Sequence, residues 1–172
     1  SKTLLHLDNF SSGIILSGEE KIGSTSLIYI LISEFRSANL FPVLINGNKI
    51  KDKNPHNIKI QIERALLEQY DDKNIITKFS QEPKKNKILF IDDFHDIKIH
   101  SEDARNAALK YLLTKFEKII ITVGSMFDAG ELTNSDEECV IKSFDNYKIE
   151  AFGYKKRTEL IRKWYSLDRK DH

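Results

Sequence analysis

The chain alternates short apolar runs with segments whose apolar residues recur every three or four positions, and no segment repeats. Gly13-Ile14-Ile15-Leu16-Ser17, bounded by Gly18, predicts a first strand. Residues 25 to 36 place Leu27, Ile28, Ile30, Leu31, Ile32 and Phe35 around most of a helical circumference, which predicts a helix buried on more than one side. Pro42 to Asn46 predicts a second strand, ended by the turn-forming pair Asn46-Gly47. From Pro55, the spacing of Ile58, Ile62, Ala65, Leu66 and Tyr70 predicts an amphipathic helix. Lys87 to Asp92 contains Ile88-Leu89-Phe90-Ile91, a run so continuous that it predicts a strand covered on both faces. Ser101 is placed to cap a helix with Glu102 and Asp103 in its first turn, burying Ala104, Ala108, Tyr111 and Leu112. Ile119 to Val123 predicts a fourth strand, Tyr147 to Phe152 a fifth, and Leu160, Ile161, Trp164 and Leu167 a closing helix, whereas residues 126 to 146 show no clear period. Strands alternating with helices predict a three-layer α/β fold with a mainly parallel five-stranded sheet.

Composition narrows the function classes. At 172 residues the chain can bury a core of its own, and the single Cys139 excludes an internal disulfide. No apolar run reaches the roughly 18 residues of a membrane-spanning helix. These features predict a cytoplasmic protein with no membrane partner. Lys and Arg total 27 against 26 Asp and Glu, so the net charge of +1 gives no electrostatic reason to expect a nucleic-acid partner. Two local basic runs, Lys49, Lys51, Lys53 and Lys59, and Lys155, Lys156, Arg157, Arg162 and Lys163, read first as solvated faces. A nucleic-acid-binding module is the alternative they keep open. The chain starts at Ser1 and its last amphipathic segment stops close to His172, so it is expected to be part of a longer protein.

The segment richest in chemistry is Gly18-Glu19-Glu20-Lys21-Ile22-Gly23-Ser24-Thr25, between a predicted strand and a predicted helix. It keeps both glycines and the Thr of the phosphate-binding pattern G-x-x-x-x-G-K-[ST], with Ser24 where the pattern has Lys. A loop feeding a helix N-terminus aims backbone N–H groups and the helix dipole at an anion, which needs no lysine. The ammonium matters most for charge on the β- and γ-phosphates. An ordinary tight turn would satisfy the same spacing, and Lys21, inside the loop, could reach a phosphate from another direction.

The second constellation is Ile88-Leu89-Phe90-Ile91-Asp92-Asp93, four apolar residues followed by two carboxylates, the form of a Walker B strand. There Asp92 would hold Mg²⁺ and Asp93 would orient or deprotonate an attacking water. Asp92, Asp93, His95 and Asp96 do not make a dedicated metal centre, because a strand followed by a turn points them in several directions. His95 and His100 read as surface residues. Ser125 lacks the G-x-S-x-G elbow of a serine hydrolase, and Asn48 to Asp52 misses the guanine-reading spacing by one residue.

Taken together, the Gly18 to Thr25 loop, the Ile88 to Asp93 strand, the Ile119 to Gly124 strand, and Tyr147 to Phe152 followed by Lys156 to Ile161 resemble the STAND class of signal-transducing P-loop ATPases, within the AAA-like lineage. The resemblance implies a nucleotide-binding α/β domain over residues 1–152 and the start of a helical lid or linker over 153–172. It implies ATP and Mg²⁺ as cofactors, with Gly18, Glu19, Glu20, Lys21, Ile22, Gly23, Ser24, Thr25 and Ser26 around the nucleotide, Thr25 and Asp92 at the metal, and Asp93 at the attacking water. It further implies a regulatory switch in a signalling or anti-phage defence protein, joined to effector and sensor domains of the same chain and assembling as a homo-oligomer. Ser24, and Thr122-Val123-Gly124-Ser125 without an arginine, depart from that class and predict slow or absent hydrolysis. A catalytically dead scaffold for oligomerisation or protein contact is the alternative that Ser24 favours.

Overall fold

The computed structural model describes residues 11–19, 23–124 and 139–149. Strand β1 (Gly13–Gly18) leads to helix α1 (Ser24–Ser37), then β2 (Phe41–Asn46) and α2 (Pro55–Gln69). A short α3 (Ile75–Gln81) precedes β3 (Lys87–Asp92), followed by α4 (Glu102–Lys115), β4 (Lys118–Gly124) and β5 (Asp145–Lys148). The sheet order is β2-β3-β4-β1-β5, with every neighbouring pair parallel. This is the predicted three-layer α/β architecture.

Strand alternation sorts the core into two layers. Ile14, Leu16, Ile88, Phe90 and Ile120 point to one face, where α1 covers them with Ile28, Leu31, Ile32 and Phe35. Ile15, Val43, Leu89, Ile91 and Ile121 point to the other, beneath α2, α3 and α4. β3 sits inside the sheet and is buried along all six residues, as its continuous apolar run predicts. Ser101 caps α4 as expected, its hydroxyl accepting from the Ala104 N–H.

Four expectations change. α1 is buried on one side only: Tyr29 and Ile30 are 60% and 57% exposed, because the helix forms an outer layer against a single face of the sheet. Tyr70 follows α2 as its C-terminal cap instead of lying within it. α3 was not predicted, since seven residues are too few to establish a period. β5 begins at Asp145, two residues before the predicted Tyr147, and its register is set by backbone pairing with β1 rather than by an apolar pattern. Residues 150 to 152 of the expected strand and the closing helix at 160 to 167 lie outside the described residues. No helix among the described residues is long and apolar enough to cross a membrane.

The open edge of β2 is closed by a side chain. Gln69 presents its carboxamide to the strand as a neighbouring peptide would: Leu44 N–H donates to Oε1 at 2.8 Å, and Nε2 donates to the Leu44 carbonyl at 2.7 Å. The Tyr70 hydroxyl donates to the Pro42 carbonyl at 2.6 Å, one pleat away. Burial raises the Tyr70 phenol above its ordinary pKa, while the Arg36 guanidinium pulls it down. Gln69→Leu keeps the bulk but strips the partners from both Leu44 groups. It should lower the unfolding free energy by about 1–3 kcal/mol, read by urea denaturation.

Candidate functional site

In an all-parallel sheet the C-terminal ends of the strands share one edge, which is where such folds place their chemistry. Gly18 aligns with Gly124, Asn46 aligns with Asp92, and Ile91 aligns with Ile121, so the ends of β1, β4, β3 and β2 form that edge. α1 starts from it at Ser24.

Gly23, the residue before α1, has φ 97°, a left-handed conformation that side-chain-bearing residues rarely adopt. No atom lies within 4 Å of a Cβ built there, so the glycine is required by backbone conformation and not by crowding. The helix has no side-chain cap and no acidic residue in its first turn. Its first intrahelical bond runs from Leu27 N–H to the Gly23 carbonyl, so the preceding N–H groups have no partner within the helix and, with the positive end of the helix dipole, suit an anion. Glu19, Gly23, Thr25 and Ser26 are exposed, whereas Glu20, Lys21 and Ile22 lie outside the described residues.

The Asp92 carboxylate, only 6% exposed, connects this helix to the sheet. Thr25 Oγ1 donates to Asp92 Oδ2 at 3.0 Å, and Thr122 Oγ1 donates to Asp92 Oδ1 at 2.5 Å. A buried carboxylate requires such donors, because removing it from water otherwise costs several kcal/mol. Thr122 also accepts from the Asp93 N–H at 2.9 Å. Asp93 has φ 53°, so the chain turns sharply at the strand end and the second carboxylate leaves the Asp92 direction. Asp93 Oδ2 lies 3.5 Å from Asn46 Nδ2, on the β2 side. Gly47 faces the same turn, where a Cβ would collide with the Asp93 carbonyl.

The structure therefore joins Thr25 to Asp92 and sets Asp93 beside Asn46. Sequence reading missed Thr122 and Asn46 as parts of this site. Both are polar residues at the C-terminal ends of apolar strands, and that position was the available signal. His95, expected at the surface, is exposed, and its Nδ1 accepts from the Gly124 N–H at 3.4 Å. Among the described residues no three His, Cys, Asp or Glu side chains converge as a metal centre.

The chain belongs to the ATPase family associated with various cellular activities (AAA), whose family model matches residues 14–136. It is thus an AAA-type nucleotide-binding ATPase module, and the family implies Mg²⁺ as the usual companion of the nucleotide. Among solved structures, the RuvB Holliday junction branch migration motor of Thermotoga maritima is 16% identical, with a TM-score of 0.56 over 92% of this chain and 44% of that one. Domain III of the Thermotoga maritima replication initiation protein DnaA is 15% identical, with a TM-score of 0.58 over 98% of this chain and 66% of that one. AMPPCP-bound DnaA from Aquifex aeolicus is 15% identical, with a TM-score of 0.55 over 96% and 48%. At these identities the likeness is one of fold, and the chain spans less than half of the RuvB motor. No curated protein matches the chain.

Thr122 can be tested without any ligand. Thr122→Val removes a donor to Asp92 and an acceptor for Asp93 at nearly constant volume, and should cost about 1–3 kcal/mol of stability. Thr122→Ser should retain most of it. Thermal denaturation of the pair separates loss of the hydroxyl from loss of the methyl group.

Proposed function

We propose that this AAA chain is an ATP/Mg²⁺-binding switch with slow or absent hydrolysis, a STAND-like regulatory module of a larger signalling or defence protein. The observation that supports this most is the Thr25–Asp92 hydrogen bond, which places a hydroxyl from the start of α1 against a buried carboxylate at the end of β3. That is the oxygen donor set a hard, six-coordinate cation takes. Gly18 to Ser26 would cradle the phosphates, with the open N–H groups at the start of α1 as donors. Thr25 and Asp92 would hold Mg²⁺, which supplies charge neutralisation at the phosphates. Thr122, which donates to Asp92 Oδ1, would keep that carboxylate oriented towards the metal.

Asp93 is the candidate for orienting an attacking water, from a position near Asn46. Ser24 makes the phosphate loop a degenerate Walker A. Without an ammonium there, and with no arginine in Thr122-Val123-Gly124-Ser125, transition-state charge is poorly met, which supports a switch more than a fast motor. Residues 1–152 would form the nucleotide domain and 153–172 the start of a lid or linker, in a homo-oligomer that works beside effector and sensor domains. Ser24 also favours a second reading, a nucleotide-free scaffold for protein contact.

Nucleotide titration separates the two. Saturating ATP with Mg²⁺ should raise the melting temperature, the stabilisation being about 2.7 kcal/mol at a hundred times Kd. The scaffold reading expects no shift with ATP, ADP or GTP at millimolar concentration. Ser24→Lys should tighten ATP binding more than ADP binding, because the restored charge faces the terminal phosphates. Equal gains for both would argue against the loop as the phosphate cradle.

Asp92→Asn should abolish the Mg²⁺-dependent part of ATP affinity and spare the metal-free part. Asp93→Asn should leave binding nearly unchanged and lower any turnover. Calorimetric titration with and without Mg²⁺ reads the first difference. Identical profiles for Asp92→Asn and wild type would remove Asp92 from the metal site.

A further inference from the structure

A groove of about 680 Å³ runs along the outer edge of β2, between α1 and α2. Among the described residues, none of 18–19 or 23–26 lines it, nor do Asp92 and Asp93, although Asn46 does. Its floor includes Leu44, Ile45 and Ala65, and its walls carry Arg36, Lys49, Lys51 and Arg64. All four cations are exposed, and none makes an ion pair with a carboxylate among the described residues. The one carboxylate in the lining is that of Glu68. A second, smaller hollow of about 240 Å³ shares Lys49, Lys51 and Arg64, so the positive charge lies between two concave surfaces and not on a convex face. This concentration stands out against a chain whose net charge is only +1.

We propose that this groove is a docking surface for an acidic, extended segment of a partner protein. Charge complementarity selects the sign of the occupant. Beneath the groove, the Leu44 N–H and carbonyl are already paired by the Gln69 carboxamide, so the partner segment is held through its side chains and not by adding a strand to β2. Apolar floor residues beside cationic walls match a chain that alternates aliphatic and acidic side chains. A single-stranded nucleic acid would need successive aromatic platforms. Here Tyr29 is the aromatic residue in the lining, and the nearby Tyr70 ring is covered by the Arg36 guanidinium, 4.4 Å from its centroid.

The test uses the whole chain without nucleotide, since none of the described phosphate-loop residues lines the groove. Fluorescence anisotropy would measure binding of a short peptide of alternating Glu and Leu, its Lys–Leu counterpart, and an oligothymidylate. The wild type should bind the Glu–Leu peptide, more weakly as salt rises, and not the Lys–Leu peptide. Lys51→Glu with Arg64→Glu should weaken Glu–Leu binding roughly tenfold and admit the Lys–Leu peptide. Should that double reversal lower the melting temperature, Lys51→Ala with Arg64→Ala should still weaken Glu–Leu binding several-fold. Absence of binding, equal binding of both peptides, or affinity unchanged in the variants would overturn the proposal. Tighter binding of the oligothymidylate, lost in the same variants, would overturn it in favour of a nucleic-acid surface.

Discussion

The carboxylate of Asp92 is the constraint around which the candidate site is arranged. It ends the most deeply buried strand of the sheet, where an unpaired charge would be prohibitively costly, and it is satisfied by two hydroxyls from different elements. Thr122 approaches from β4 and Thr25 from the first turn of α1. The burial of one group thereby fixes the distance between helix and sheet. It also orders the next residue, because Thr122 takes the Asp93 N–H and the chain then turns through a left-handed conformation. The same hydroxyl that stabilises one carboxylate redirects the other towards Asn46.

Such an arrangement sets the two carboxylates towards different neighbours. The Thr25–Asp92 side has open helix-terminal N–H groups and oxygen ligands suited to an anion with a divalent cation. The Asp93–Asn46 side faces β2 and the turn at Gly47, which is packed closely enough that a methyl group would displace the Asp93 carbonyl. The two regions are joined through the Thr122 hydroxyl and the Asp92–Asp93 backbone.

The outer edge of the sheet follows a different logic. β2 is the last strand on its side, and its backbone groups would recruit other strands if left open. Gln69 and Tyr70, from the end of α2, pair with them internally. What remains around that closed edge is a concave surface whose exposed cations make no ion pair among the described residues, distinct in chemistry from the phosphate-loop edge although both border Asn46.

The order of strands and helices apart from α3, the buried β3, the Ser101 cap and the glycine-framed loop before α1 could all be read from the chain, because each depends on periodicity or on residues a few positions apart. So could the candidacy of Thr25 and Asp92, since the apolar run before Asp92 and the loop before Thr25 are local patterns. Their contact could not be read: 67 residues separate them, and only the parallel register of β1, β4 and β3 brings the two ends together. The roles of Thr122, Asn46 and Gln69 were equally hidden, because hydroxyl and amide side chains leave no periodic trace and acquire partners only when strands align. Exposure of Tyr29 and Ile30 was hidden for a related reason. Hydrophobic pattern marks what a helix is able to bury, and the number of layers in the fold decides which of its faces is covered.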